Sequence, residues 1–165
     1  MATAYLGIGS NQGDRQANIE RALALLKEIE EIKVLKISKI IESEFEGAGP
    51  EQGKFLNGAA QIQTGLLPLD LLSRLKMVER RLGRVKTGTR NAPRPMDLDI
   101  LLYDDVVIVD GRTLCVPHPR LHERRFVLEP LAEIAPELVH PRLGKTIQAL
   151  YQDLLHASPS KPPGA

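Results

Sequence analysis

Two stretches of the chain have apolar residues at helical spacing, and each follows an extended apolar segment. These two stretches constrain the fold more than any other feature. The first covers residues 15–31, and Asp14 stands where it can cap a helix. Its apolar stripe consists of Ile19, Leu23, Leu26 and Ile29. The second begins at Pro68 and stops at Gly83, residues typical of a helix start and a helix end. Its stripe consists of Leu71, Leu72, Leu75, Val78 and Leu82. The pattern predicts two amphipathic helices that each cover a sheet.

Four extended segments surround these helices. They span residues 4–8, 33–45, 55–64 and 96–103. We predict the second as one long strand and the residues from Gly9 to Asp14 as a turn-rich stretch after the first strand. A small hairpin is predicted around Asp110-Gly111. The order strand, helix, strand, strand, helix, strand resembles a ferredoxin-like α+β sandwich, in which helices cover one face of a mostly antiparallel sheet.

The length of 165 residues suits a single domain with its own core. We assign residues 1–155 to that domain and expect its C-terminal portion to add only short helices. Residues 156–165 contain three prolines and a glycine with no apolar pattern. We therefore predict a disordered C-terminal tail.

Composition and charge narrow the class of protein. Hydrophobic residues make up 42% and charged residues 26%, as in soluble globular domains. A net charge of +1 argues against a general nucleic-acid binder, which would carry a basic excess. The single cysteine, Cys115, cannot form an internal disulfide, and no apolar run approaches the roughly 20 residues that span a bilayer. We therefore expect a cytoplasmic protein with no membrane role.

The sharpest chemical feature is Asp97-Leu98-Asp99 within an apolar extended run. Strand alternation puts both carboxylates on one face and the flanking apolar side chains on the other. Two carboxylates so close repel each other, and magnesium bound to substrate phosphates would relieve that repulsion. The alternative is a pair of solvated acids at a strand end.

A basic segment precedes these acids directly. Residues 83–95 carry Arg84, Lys86, Arg90 and Arg94 without an acidic residue, between glycines and prolines. Such a loop can close over a triphosphate, with guanidinium groups bound to phosphate oxygens. The alternative is an exposed basic loop that is only solvated.

Phe55 and Asn57 form a second candidate site. Two positions apart in a strand, they share a face, so an aromatic ring and an amide converge on one spot. This combination suits a flat heterocycle, and Phe126 could supply an opposing ring. The alternative is that Phe55 belongs to an ordinary core.

The third cluster contains His118 and His122, four residues apart. They could in principle chelate zinc on a helix, but Pro119 disfavours a continuous helix and no third ligand is evident. A contact to nucleotide phosphate is the favoured interpretation. His140 and His156 receive no role.

Five motifs in this order resemble the 6-hydroxymethyl-7,8-dihydropterin pyrophosphokinase family. They are Gly9-Ser10-Asn11, Phe55-Leu56-Asn57, Arg90-x-x-Pro93-Arg94-x-x-Asp97-x-Asp99-Ile100, Pro117-His118-Pro119-Arg120 and Arg124-x-Phe126-Val127-Leu128. The resemblance runs from residue 4 to about residue 142. It implies a ferredoxin-like fold, ATP as donor, two Mg²⁺ ions, AMP as product and a place in folate biosynthesis. It also implies a cytoplasmic enzyme acting on small molecules, and we expect a monomer.

The resemblance assigns roles to individual residues. It implies that Asp97 and Asp99 bind both magnesium ions, that Asp97 also meets the substrate, and that Arg84 and Arg94 steady the transferring phosphates. The nucleotide-side residues implied are Lys76, Glu79, Arg84, Arg94, Ile100, Cys115 and His118. The pterin-side residues implied are Ser43, Phe45, Phe55, Asn57, Arg124 and Phe126.

The chain departs from the family at several of these positions. Asn91 and Ala92 stand where the family often has tryptophan and glycine. Phe45 replaces a frequent proline, and Cys115 replaces a common hydroxyl. Neither proposed metal ligand is changed.

Three other functional classes are compatible with these residues. One is another D-x-D nucleotide user, such as a nucleotidyl or sugar transferase, which would release pyrophosphate or nucleoside diphosphate instead of AMP. A second is a ferredoxin-like small-molecule-binding or regulatory module, in which the acids and arginines are surface groups. The weakest is a nucleic-acid binder, because the basic residues cluster beside acids and aromatic content is 4%.

Overall fold

A computed structural model describes residues 1–43, 54–83, 96–110 and 113–157. The strands are β1 (Ala2–Ser10), β2 (Ile32–Ile37), β3 (Ile41–Ser43), β4 (Phe55–Thr64), β5 (Asp97–Tyr103), β6 (Ile108–Asp110) and β7 (Leu114–Val116). The helices are α1 (Arg15–Glu28), α2 (Pro68–Arg81), α3 (Arg125–Ile134) and α4 (Ile147–His156), with a short 3₁₀ helix at Leu121–Glu123. The predicted tail is wrong at His156, which is the last residue of α4, and it lies outside the described residues from position 158 onward.

The main sheet has the strand order β2-β4-β1-β5, and β3 also pairs with β4. Each of these pairings is antiparallel. With α1 after β1 and α2 after β4, this is the ferredoxin-like α+β sandwich that the sequence predicts. Strands β6 and β7 form the separate predicted hairpin.

Helices α1 and α2 cover one face of the sheet, as predicted. Asp14 caps α1, since its side chain accepts a hydrogen bond from the Ala17 N–H at 3.1 Å. The core beneath these helices joins sheet and helix side chains, among them Leu6, Ile8, Ile19, Leu26, Ile62, Leu71 and Leu75. Helix α1 ends at Glu28, three residues before the predicted end, because Ile29 adopts an extended backbone there.

Helices α3 and α4 pack on the opposite face. A second core lies between them and the sheet, and includes Tyr5, Ala59, Leu101, Leu128, Leu131, Ile147 and Leu150. The predicted one-sided arrangement thus holds only for the first two helices. The C-terminal portion, expected as an addition of short helices, completes a third layer.

The predicted long strand at residues 33–45 is wrong, because it divides into β2 and β3. Ile37 pairs with Ala60, and Ile41 pairs with Asn57. The segment between β2 and β3 therefore takes four residue steps where β4 takes three. A Cβ atom at Gly58 would lie 2.6 Å from Ile40 Cδ1, so the absence of that atom lets the irregular segment approach β4. The β-branched residues favour extended backbone on both sides of the break, but they do not predict the break itself.

The first strand continues further than predicted. Gly9 and Ser10, which the sequence assigned to a turn, lie within β1 and pair with β4. Within the part of the chain that the structure describes, no helix is both long and apolar enough to cross a bilayer.

Candidate active site

The two carboxylates of β5 lie on the face predicted for them. Asp97 and Asp99 are half-buried and alternate with Leu98 and Ile100, which are buried in the core under α1 and α2. Across the sheet, Asp97 pairs with Gly9 and Asp99 pairs with Gly7. Both acids therefore project from the face on which α3 lies, each opposite a residue without a side chain.

The predicted heterocycle site shares this face and adjoins the acids. Gly9 pairs with Asp97 on one side and with Asn57 on the other. Asn57 and Asp97 are therefore separated by one strand, or about 10 Å between Cα atoms from two strand spacings. A Cβ atom at Gly9 would lie 3.4 Å from Asn57 Oδ1 and 3.7 Å from Phe55 Cδ1. The glycine leaves the space between the two predicted sites open.

The polar end of the heterocycle site is ordered by hydrogen bonding. Asn57 is 6% exposed, and its Nδ2 donates to Ser43 Oγ at 2.6 Å. Ser43 lies on β3 and pairs with Phe55 on β4. This bond leaves the Asn57 Oδ1 directed toward Gly9, where it can accept from a ligand.

A cavity of about 550 Å³ lies between β3 and the first turns of α3. Its lining combines predicted and unpredicted residues, namely Ile41, Glu42, Ser43, Lys54, Arg125, Phe126 and Glu129. The structure thus brings Ser43 and Phe126, distant in sequence, to the same cavity. A volume of this size suits a small-molecule ligand.

The charged lining was not identified from the sequence. Arg125 Nε lies 3.2 Å from Glu129 Oε1, and Glu42 lies within ion-pair distance of both Arg15 and Lys54. The sole sequence signal is the spacing of Arg125 and Glu129 by four on a helix, which is common on any solvated helix. Their place beside the cavity depends on the docking of α3.

The outer edge of β5 carries the next group of predicted residues. Glu79 is 1% exposed, and its Oε2 accepts a hydrogen bond from the Leu98 N–H at 2.7 Å. Lys76 Nζ lies 3.9 Å from the same carboxylate. The Ile100 side chain is buried in the core at 3% exposed, so a ligand contact by this residue would use the backbone. Backbone groups of Leu98 and Ile100 share this edge by alternation.

Replacing Glu79 by alanine is expected to lower the free energy of unfolding by about 1–3 kcal/mol, because the buried Leu98 N–H loses its acceptor. Glu79→Gln retains an acceptor oxygen and should lose less. Thermal unfolding measures the difference, at about 2–4 °C per kcal/mol for a chain of this size. Glu20→Ala, on the exposed surface of α1, is the matched control. An unfolding temperature for Glu79→Ala equal to that of the control would contradict the prediction.

His118 lies at the same edge. Its backbone N–H donates to the Leu101 carbonyl at 2.9 Å, and its Nδ1 accepts from the Arg120 N–H at 3.2 Å. The neutral ring therefore carries its proton on Nε2. Burial lowers the pKa of His118, Arg124 lowers it further, and Asp97 opposes these effects. The ring is thus a neutral donor near the acids of β5.

Arg124 and Phe126 are close neighbours at the start of α3. Arg124 is the N-cap residue of that helix, and its guanidinium carbon lies 5.5 Å from the Phe126 ring centroid. Cys115 is half-buried in the middle of β7, paired with Val109. Arg84, Arg94 and Phe45 lie outside the described residues, so their predicted roles stay predictions.

The acids of β5 fit a magnesium ion by their chemistry. In the described part of the chain, no group of three or more His, Cys, Asp or Glu side chains could hold a metal. Magnesium commonly uses one or two carboxylates and completes its shell with water and substrate phosphates. Asp97 and Asp99 supply that number of hard oxygen ligands.

Together, the fold and site define an α+β sandwich with a small-molecule cavity and paired acids on one sheet face. The model of the 7,8-dihydro-6-hydroxymethylpterin-pyrophosphokinase family matches residues 5–136. The chain belongs to this family. This match confirms the resemblance that the five sequence motifs indicate.

Curated relatives include two bacterial proteins of similar length. A 2-amino-4-hydroxy-6-hydroxymethyldihydropteridine pyrophosphokinase of Aquifex aeolicus is 46% identical over 148 residues, covering 90% of this chain and 89% of that protein. The Bacillus subtilis protein of the same name is 44% identical over 135 residues, covering 82% and 79%. The folic acid synthesis protein fol1 of Schizosaccharomyces pombe is 43% identical over 145 residues. That match covers 88% of this chain but only 19% of the fol1 protein.

Solved structures support the fold. A Plasmodium falciparum HPPK-DHPS triple mutant with SDX-DHP matches 92% of this chain with a TM-score of 0.74 and 18% identity. An HPPK-DHPS protein in complex with substrates matches with a TM-score of 0.72 and 17% identity. This chain spans 44% and 43% of those two chains.

Proposed function

We propose that this enzyme transfers a diphosphate group from ATP to the hydroxymethyl group of 6-hydroxymethyl-7,8-dihydropterin, giving AMP and the pterin diphosphate. This is a step of folate biosynthesis. The observation that carries the proposal is the family match over residues 5–136, which runs from within β1 to just past the end of α3. The Aquifex aeolicus and Bacillus subtilis relatives, covered over 89% and 79% of their length, carry a pyrophosphokinase name.

The pterin is proposed to bind on the β3, β4 and α3 side of the site. Phe55 and Phe126 would stack on its rings, and Asn57 and Ser43 would hydrogen-bond its polar edge. The cavity beside Ser43 and Phe126, and the ordering of Asn57 by Ser43, support this placement. Phe45 and Arg124 complete the proposed pterin-side set.

The triphosphate is proposed to lie over β5. Asp97 and Asp99 would hold two Mg²⁺ ions, which supply charge neutralisation to the phosphates when bound. His118, as a neutral Nε2 donor near Asp97, suits a phosphate oxygen. Arg84 and Arg94 would steady the transferring group. Lys76, Glu79, Ile100 and Cys115 stay as proposed neighbours of the nucleotide.

The chemistry proposed is an in-line attack by the pterin hydroxymethyl oxygen on the β-phosphorus, which breaks its bond to the oxygen that leaves with AMP. Positioning is the main contribution of the protein in such transfers. Asn57 and Asp97 pair with Gly9 from its two sides, which supports positioning because the proposed acceptor and phosphate sites would then be neighbours on one sheet. The predicted closure of the basic loop over the triphosphate falls on residues 84–95, which lie outside the described residues.

We further propose that the enzyme acts as a cytoplasmic monomer on small molecules, without a nucleic-acid or membrane partner. The nearly neutral net charge of +1 supports the absence of a nucleic-acid role. Size-exclusion chromatography with light scattering measures the oligomeric state.

The product assay tests the function. Incubation with ATP, magnesium and 6-hydroxymethyl-7,8-dihydropterin should release AMP and the pterin diphosphate in equal amounts, and a chelator or omission of the pterin should stop both. Release of pyrophosphate or ADP in place of AMP would assign the chain to a different transferase reaction. Separation of the nucleotides by chromatography distinguishes these outcomes.

A further inference from the structure

The irregular segment between β2 and β3 is held by side chains as well as by the sheet. Ser38 Oγ accepts from the Ala59 N–H at 2.9 Å and donates to the Lys39 carbonyl at 2.8 Å. The Lys39 N–H instead donates to Glu133 on α3, at 3.0 Å to Oε1 and 3.3 Å to Oε2. Helix α3, which packs on the sheet, thus supplies the acceptor for the Lys39 N–H at the break between β2 and β3.

Glu133 lies on the helix face that borders the cavity. Phe126, Glu129 and Glu133 follow the i, i+3, i+7 spacing of one helical face. The first two of these line the cavity, and Glu133 continues the same face beyond it. The hydrogen bond to Lys39 therefore starts from the helix that forms one wall.

The Lys39 end of this hydrogen bond lies just before β3, which forms the facing wall of the cavity. Ile41 and Ser43, on β3, line the cavity and follow Lys39 by two and four residues. Ser43 Oγ is also the acceptor for Asn57 Nδ2. A shift of this short strand would move one cavity wall and disturb the orientation of Asn57 together.

We propose that Glu133 is a positioning residue for the pterin, holding β3 at a set distance from α3 through the Lys39 N–H. This inference rests on the proposed function. Glu133 is not among the described residues that line the cavity, so its proposed effect on the pterin is indirect, through the two walls. A carboxylate is a suitable acceptor because bonds from a backbone N–H to a charged group are stronger than neutral ones. Because Glu133 is exposed, its replacement should change the free energy of unfolding only slightly.

The test is steady-state kinetics of three variants. Glu133→Ala should raise the KM for the pterin by about three- to tenfold, the effect of one lost charge-assisted hydrogen bond near the surface. The turnover number and the KM for ATP should stay within about twofold of wild type, since neither Asp97 nor His118 is moved. Glu133→Gln should recover much of the wild-type pterin KM, because its amide oxygen accepts from the same N–H in a weaker, neutral hydrogen bond.

Glu137→Ala is the matched control, as it removes an equivalent carboxylate from an exposed position just after α3. The inference is overturned if Glu133→Ala has the pterin KM of this control. It is also overturned if Glu133→Gln fails as the alanine variant does, since charge and not the hydrogen bond would then matter. A wild-type protein that forms no AMP with the pterin would instead overturn the proposed function itself.

Discussion

Asp97→Asn is expected to lower the turnover number by about 100- to 1000-fold, the loss typical of removing one preorganised electrostatic contact in the transition state. The substitution keeps the shape of the side chain but removes the negative charge that would attract Mg²⁺ and its bound phosphates. The fold should persist, because Asp97 is half-buried on the site face and the core lies under Leu98 and Ile100. Asp99→Asn should behave in the same way. AMP release under saturating substrates measures the effect.

Asp105→Asn is the control for this experiment, because it removes an exposed carboxylate two residues after the end of β5. It should retain the wild-type turnover number. Thermal unfolding of each variant separates loss of chemistry from loss of fold. AMP release by Asp97→Asn at the rate of the control would remove the paired acids from the proposed catalytic site.

Asn57→Ala is expected to raise the KM for the pterin by about 10- to 100-fold, which corresponds to the roughly 1–3 kcal/mol cost of unpaired buried polar groups. The amide is 6% exposed and is held by Ser43, so it is preorganised for a polar ligand edge. The KM for ATP should change little, because one strand separates Asn57 from Asp97. Initial rates over a range of pterin concentrations measure the effect.

Two comparisons make this second prediction specific. Ser43→Ala should give a smaller increase, because Asn57 stays in place but loses its orientation, and the double variant should show less than the sum of the two energies. Gln63→Ala removes an amide near the other end of β4 and should leave the pterin KM unchanged. An unchanged KM in Asn57→Ala would exclude it from the pterin contact set.

Several elements were predictable because their local pattern and tertiary role agree. Strand β4 has the predicted bounds, and α2 begins at Pro68 and ends just before Gly83. The D-x-D alternation placed both acids of β5 on one face, where the structure has them. In each case the apolar period matches the face that the sheet and helices bury.

Other features could not be predicted from local pattern. The break between β2 and β3 depends on Gly58 of the neighbouring strand and on Glu133 of a helix on another layer. Glu79 is a charged residue on an amphipathic helix, where the sequence pattern favours an exposed side chain. It is instead buried and accepts a hydrogen bond from the Leu98 N–H. Lys54 and Arg125 line the cavity only because α3 packs beside β3.

The sequence by itself determined the order of the elements, the shared face of Asp97 and Asp99, and the family. The tertiary structure decided which face α3 covers, where the extended segment breaks into β2 and β3, and which charged residues reach the cavity. The physical reason is the sequence separation of the interacting residues. Helical spacing of apolar residues and strand alternation relate residues that are close in sequence. Contacts such as Lys39 with Glu133 or Leu98 with Glu79 join distant segments and exist only after the layers have packed.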